Sequence, residues 1–199
     1  MLSHLLGILT HPAAEWQRIH DRNYSVVACY RKFVLWLAAI PAVAGLIGTT
    51  QVGWSIGIRE SIRLTFGSAL LIAIAYYLAV LAAVFLVGKA IHWMAVTYGA
   101  DSDLDRAVTL AAFTATPMFL AGIVQLYPIL WLDFLVAIAA LGHSVYLLYN
   151  GVPIMMNTSQ ERGFLFASAV LTVGLVAFVA LLATTAMLWG MGMQPAFVS

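Results

Sequence analysis

The sequence predicts an all-α integral membrane protein of five transmembrane helices with short interfacial helices, folded as one domain over residues 1–199. Three observations predict it. Of the 199 residues 63% are apolar and 9% are charged, where soluble domains carry roughly a quarter charged residues. The mean hydropathy is +0.98. Apolar runs at 33–50, 66–88, 107–126, 129–149 and 164–189 each come close to the ~20 residues that cross ~30 Å of hydrocarbon. Nine Lys and Arg against eight Asp and Glu leave no basic excess, which sets nucleic acid aside as a partner.

The first 32 residues form the expected cytoplasmic, interfacial segment. Leu2, Leu5, Leu6 and Leu9 recur at helical spacing. Beyond Pro12, Trp16 and Ile19 continue an apolar face opposite Glu15 and Arg18. Such helices are expected to lie on the inner membrane surface; the same pattern also serves to dock a cytosolic partner. The opening "MLSHLLGILTHPAAEW" lacks a basic n-region and a small-residue cleavage site, so it does not read as a removable signal peptide. The single cysteine, Cys29, sits at the edge of the first span and cannot form an internal disulfide. An ordinary small residue is expected there, with lipid attachment as the alternative.

After the first span, "GWSIGIRESIRLTF" spaces Ile58, Ile62 and Phe66 four residues apart with Arg59, Glu60 and Arg63 away from them, which predicts a second interfacial helix. In the second span Ala75, Ala79 and Ala83, and in the third Ala111 and Ala115, form small-residue ridges. Ridges of this kind let helices approach closely. Packing between spans is the expectation, with contact between subunits the alternative.

"DSDLD", from Asp101 to Asp105, resembles the start of a calcium loop, but Arg106 replaces the turn glycine and Ala112 the bidentate glutamate. Ser102 followed by Asp105 instead predicts a capping box for the third span, and Thr158 with Glu161 repeats it before the fifth. Asn150, Gly151 and Pro153 read as stop signals after the fourth. The third and fourth spans nearly merge, yet one helix of about 43 residues would be about 65 Å long at ~1.5 Å per residue. The chain must turn back, and Pro128 marks the turn, with Tyr127 and Trp131 at headgroup level.

Orientation follows from the basic residues. Arg18, Arg22, Arg31, Lys32, Lys89, Arg106 and Arg162 fall on one side, Arg59 and Arg63 on the other. Seven against two predicts a cytoplasmic N-terminus and, with five spans, a C-terminus on the opposite face of the membrane.

Candidate chemistry is sparse. The five histidines lack the close helical pairing with carboxylates that zinc requires, and no H-E-x-x-H, G-x-S-x-G or phosphate-binding glycine loop occurs. No catalytic, cofactor or metal residue is assigned, and no cofactor is expected. The candidate intramembrane polar site comprises Thr114, Thr116, Pro117 and His143. Pro117 frees the Phe113 carbonyl and bends the third span, with Thr114 and Thr116 placed to satisfy the freed group. His143 is an ionisable group inside the fourth span, a functional marker by default. The plain alternative is a neutral imidazole bonded to a hydroxyl on a neighbouring helix. Asp133, ten residues earlier, lies about 15 Å away along the helix at ~1.5 Å per residue and cannot reach it.

The stretches "AIPAVAGLIGTTQVGW", "AFTATPMFLAGIVQLYPILWL" and "YLLYNGVPIMM", in this order on five spans, resemble the Yip (Ypt-interacting protein) family and, within it, bacterial inner-membrane members. The resemblance runs over nearly the whole chain, through Thr116 and Pro117 and then Tyr127 and Pro128. It implies a five-span fold with a cytoplasmic N-terminus. The eukaryotic relatives it brings in are associated with Rab-type GTPases, vesicle traffic and membrane shaping, with longer cytosolic N-terminal regions. The leading expectation is a non-enzymatic membrane protein that organises the bilayer or assembles partners. Those partners are membrane lipids, further copies of the chain or other membrane proteins. The rival is a small-solute or ion transporter or channel using the third span and His143. An enzyme acting on lipid is third, since no nucleophile and base stand out.

Overall fold

The computed structural model describes residues 4–55, 61–100, 103–190 and 196–197. Nine α-helices are found among them: α1 (His4–Thr10), α2 (Pro12–Arg22), α3 (Val26–Cys29), α4 (Leu35–Ile47), α5 (Phe66–Ala95), α6 (Leu104–Thr114), α7 (Thr116–Ala121), α8 (Leu130–Met155) and α9 (Gln160–Gly190). A π turn, Tyr30–Val34, joins α3 to α4 and another, Gly48–Val52, extends α4. Val26–Val52 is therefore one rod of 27 residues. A 3-10 turn, Gly122–Leu126, prolongs α7. Among the described residues four stretches are long and apolar enough to cross a membrane: Val26–Val52, Phe66–Ala95, Leu104–Leu126 and Leu130–Met155. Helix α9 is 31 residues long.

The rods run past the expected spans at the end where the charges lie. The first starts at Val26 rather than 33 and α5 ends at Ala95 rather than 88, so Arg31, Lys32, Lys89 and His92 are helical. Long cationic side chains tolerate this because their stems lie on apolar surface while their heads reach water.

That end is also where the helices are tied together. The Asp103 side chain accepts the Arg106 amide at 2.7 Å and caps α6. The Asp105 carboxylate instead accepts the Val26 amide at 2.7 Å, so it caps the first rod across the bundle. The capping box expected between Ser102 and Asp105 falls on Ser102, which lies outside the described residues. At α9 the Ser159 hydroxyl, rather than Thr158, accepts the Arg162 amide at 3.4 Å. Asn150, Gly151 and Pro153 do not stop α8, which continues to Met155. The stop is Asn157, whose φ of 46° is the left-handed conformation that asparagine tolerates.

At the opposite end, Trp54 and Ile62 exchange two backbone hydrogen bonds of 3.0 Å, and Ser55 donates to Pro128 at 3.1 Å and accepts from Leu130 at 3.1 Å. The interfacial helix expected over 53–66 is thus corrected: its described parts are extended on either side of 56–60, and Phe66 already belongs to α5. Isoleucine and tryptophan suit paired extended backbone as well as an amphipathic turn. Residues Ile58, Arg59 and Glu60 lie outside the described residues.

The core sits towards the basic end. Phe33 stacks on Phe113 with centroids 4.1 Å apart, and Trp16 meets the same ring edge-on at 6.2 Å. Burial is uneven among the long helices. In the most apolar 18-residue stretch of each, 61% of Leu104–Leu126 is buried but only 17% of α8 and 6% of α5. Helices α6 and α7 are the central staff, and α5 is peripheral. Ala75, Ala79 and Ala83 are exposed along α5, so their ridge faces out of the bundle and the expectation of packing between spans is corrected for them. Ala111 is buried.

Candidate functional site

The third span is broken rather than bent. Helix α6 ends at Thr114, Ala115 has φ −76° and ψ −6°, and α7 begins at Thr116 with Pro117 in its first turn. A proline there removes a donor that a helix start leaves unpaired anyway. Thr116 is fully buried and Thr114 half-buried, yet neither hydroxyl has a hydrogen-bond partner. They do not satisfy the Phe113 carbonyl as expected. His143 is half-buried, its Nε2 also has no partner, and its ring lies 5.9 Å from that of Tyr146. The neighbouring Ser144 is buried with an equally unpaired Oγ.

Helices α6 and α7 both pack on α8, so the four residues sit on mutually contacting elements. No hydrogen bond joins either threonine hydroxyl to His143. An unsatisfied buried polar group typically costs about 1–3 kcal/mol. Chemically these groups offer donors and acceptors to a small polar guest. They contain no nucleophile-base pair in hydrogen-bond contact.

A second polar constellation joins residues that no spacing in the sequence links. His4 Nδ1 pairs with Glu15 Oε1, and His4 Nε2 lies 3.0 Å from the Tyr24 hydroxyl. Arg18 reaches Glu15 Oε2 at 3.0 Å, and Arg22 reaches the Tyr24 hydroxyl at 3.5 Å. His4 and Glu15 are both buried, and Gly7 lets the carboxylate in, since a Cβ there would overlap Glu15. Burial pushes the Glu15 carboxyl up, but hydrogen bonds and charge from His4 and Arg18 outweigh it and hold the carboxyl below its ordinary range.

This cluster pins the N-terminal helices onto the bundle. Trp16 and Ile19 are fully buried, and the Trp16 indole donates to the Leu147 carbonyl at 3.1 Å. The expectation that this face rests on lipid is corrected: it packs against α8. Gly151 makes room for it, as a Cβ there would stand 2.6 Å from the Trp16 ring. The signals available in the sequence were Gly7 and Gly151, small residues where two elements must nearly touch. Glu15 was misplaced because a helical wheel assigns acids to water and cannot see a histidine eleven residues away.

The comparisons with known proteins agree with the membrane architecture. Inner membrane protein YohC of Escherichia coli K12 is 40% identical over 191 residues, covering 96% of this chain and 98% of that protein. YohC of E. coli O6:H1 matches to the same extent. No solved structure matches significantly. The Yip1 domain model matches residues 6–181. That match runs from within α1 to well into α9, taking in Thr114, Thr116, Pro117 and His143 and, of the N-terminal cluster, Glu15 and Tyr24 but not His4; the chain belongs to the Yip1 domain family.

Proposed function

We propose that this protein is a non-enzymatic component of the bacterial inner membrane that organises the bilayer by lateral assembly, with itself or with other membrane proteins. In this arrangement α9 is the fifth crossing, the N-terminus is cytoplasmic and the C-terminus periplasmic. The excess of Lys and Arg at the N-terminal face supports that orientation, and the printed name of the E. coli relative supports the compartment.

The observation that carries the proposal is α5. A helix of 30 residues leaves nearly all of its most apolar stretch unburied, and its exposed face bears Ala75, Ala79 and Ala83. Small residues four apart let two helices approach within van der Waals contact, which is what drives association where lipid and side chain are equally apolar. Ala79→Cys in a Cys29→Ser background should give an oxidatively cross-linked species in native membranes, either a dimer or an adduct. Absence of any cross-link at Ala75, Ala79 and Ala83 alike, with the protein inserted, would refute lateral assembly through α5.

A second function is favoured by one observation, the unpaired polar atoms of Thr114, Thr116, His143 and Ser144. They suit a small-solute or ion pathway beside the break at Pro117. It requires that His143→Ala change flux in proteoliposomes while leaving insertion intact. Wild-type protein that carries none of a panel of ions and small polar solutes would exclude it.

A further inference from the structure

An open groove of about 440 Å³ lies on the bundle's flank between the first rod and α5. Val27, Tyr30 and Arg31 form one wall, and Leu81, Ala82 and Phe85 the other. The walls are carbon. The one hydroxyl that would make them polar is withdrawn, because Tyr30 donates it to the Leu81 carbonyl at 2.7 Å and so ties the two walls together. The π turn Tyr30–Val34 starts at this point, and such turns often mark functional positions.

The charge lies at the rim. Arg31 is exposed and makes no ion pair among the described residues, and neither does Lys89, one turn beyond Phe85 on α5. Asp105, the acid nearest the start of the rod, is engaged by the Val26 amide. An apolar slot therefore opens beside an exposed guanidinium.

From this we infer that the groove binds an anionic glycerophospholipid of the leaflet around the N-terminal end of the first rod. An acyl chain lies between Tyr30 and Phe85, and the headgroup phosphate meets Arg31, whose planar donors match a phosphate bidentately. The inference rests on the proposed role in organising the bilayer and deepens it by naming the lipid class; on α5 the groove adjoins the alanine ridge, because Ala82 points nearly the same way as Ala75.

The test is native mass spectrometry of the full chain released from nanodiscs holding equal phosphatidylglycerol and phosphatidylcholine. Wild type should retain phosphatidylglycerol about fivefold over phosphatidylcholine, the effect of one basic residue near a membrane surface. Arg31→Gln should remove that preference, and Ala82→Phe should remove the bound lipid by filling the slot. Arg162→Gln, at the same end of the bundle but away from the groove, should change nothing. Equal retention of both lipids by wild type, or equal loss of preference in Arg31→Gln and Arg162→Gln, would overturn the inference. Circular dichroism checks that each variant is folded. The same spectra give the oligomeric state, so a failure of lateral assembly is seen separately from a failure of lipid selection.

Discussion

Trp16 and Gly151 should behave as one unit. Trp16 is fully buried, donates to Leu147 at 3.1 Å, meets Phe113 edge-on and lies where any Gly151 side chain would be. Truncating a buried tryptophan to alanine costs about 3–5 kcal/mol. Here the loss falls on the docking of α2 to the bundle. Taking about 3 kcal/mol, the undocked fraction rises about 150-fold. Limited trypsinolysis in nanodiscs reads this directly, because initial cleavage after Arg18 or Arg22 tracks the open population when reclosing outpaces the protease. Trp16→Ala should therefore accelerate cleavage by about two orders of magnitude, while Trp16→Phe, which removes mainly the hydrogen bond, costs about 1 kcal/mol. Gly151→Leu should reproduce the fast cleavage from the other side of the contact, and adding it to Trp16→Ala should cost far less than in the wild-type background. If Gly151→Leu left cleavage unchanged, α2 would be lying on lipid as its amphipathic pattern suggests, and the docked arrangement would be wrong.

Three further outcomes follow from other contacts. Glu15 is held below its ordinary value of 4.5, so the folded state binds fewer protons there than the unfolded chain; its stabilisation is complete above about pH 4.5 and is lost as pH falls through the folded value. Hydrogen-exchange protection of α1 and α2, corrected for intrinsic rates, should fall below that pH in wild type and lose this dependence in Glu15→Gln. Thr116→Val removes a buried hydroxyl without a partner, so it should be neutral or stabilise by up to about 1 kcal/mol; a clear loss in thermal unfolding would show that the hydroxyl is bonded in the native protein. Asp105→Ala should cost about 1 kcal/mol and speed exchange of the Val26 amide, whereas an effect confined to α6 amides would mean that Asp105 caps its own helix.

What could be read in the sequence was whatever the bilayer alone dictates. A merged apolar run cannot be a single helix, so Pro128 had to mark a turn, and Ile129 does bond back to Tyr127 at 2.7 Å. Local signals were right in kind but shifted in register: the cap of α6 is Asp103 and that of α9 is Ser159. Short polar side chains one residue apart compete for the same amides, and the winner depends on where the chain enters. The apolar face of α2 was visible, but not what covers it, because lipid tails and packed helices select the same residues. Of the candidate polar site, an irregularity of the third span at Pro117 was legible, but as a bend rather than the break that separates α6 from α7. Its unpaired hydroxyls were not, since hydrogen bonding is decided by rotamers and neighbours that no spacing records.

The bond from Trp16 to Leu147 joins residues 131 apart in the chain. At ~5–20 residues per second of synthesis, about 7–26 s pass between the ribosome's addition of one partner and the other. Throughout that interval Trp16 and Ile19 have no bundle to enter, and they remain open to the insertion machinery, to chaperones and to proteases. Closure of the N-terminal helices is thus a late event in biogenesis, and it reports that α8 has been inserted. A nascent chain arrested before Leu147 would carry every residue of α1 and α2 and still leave them undocked.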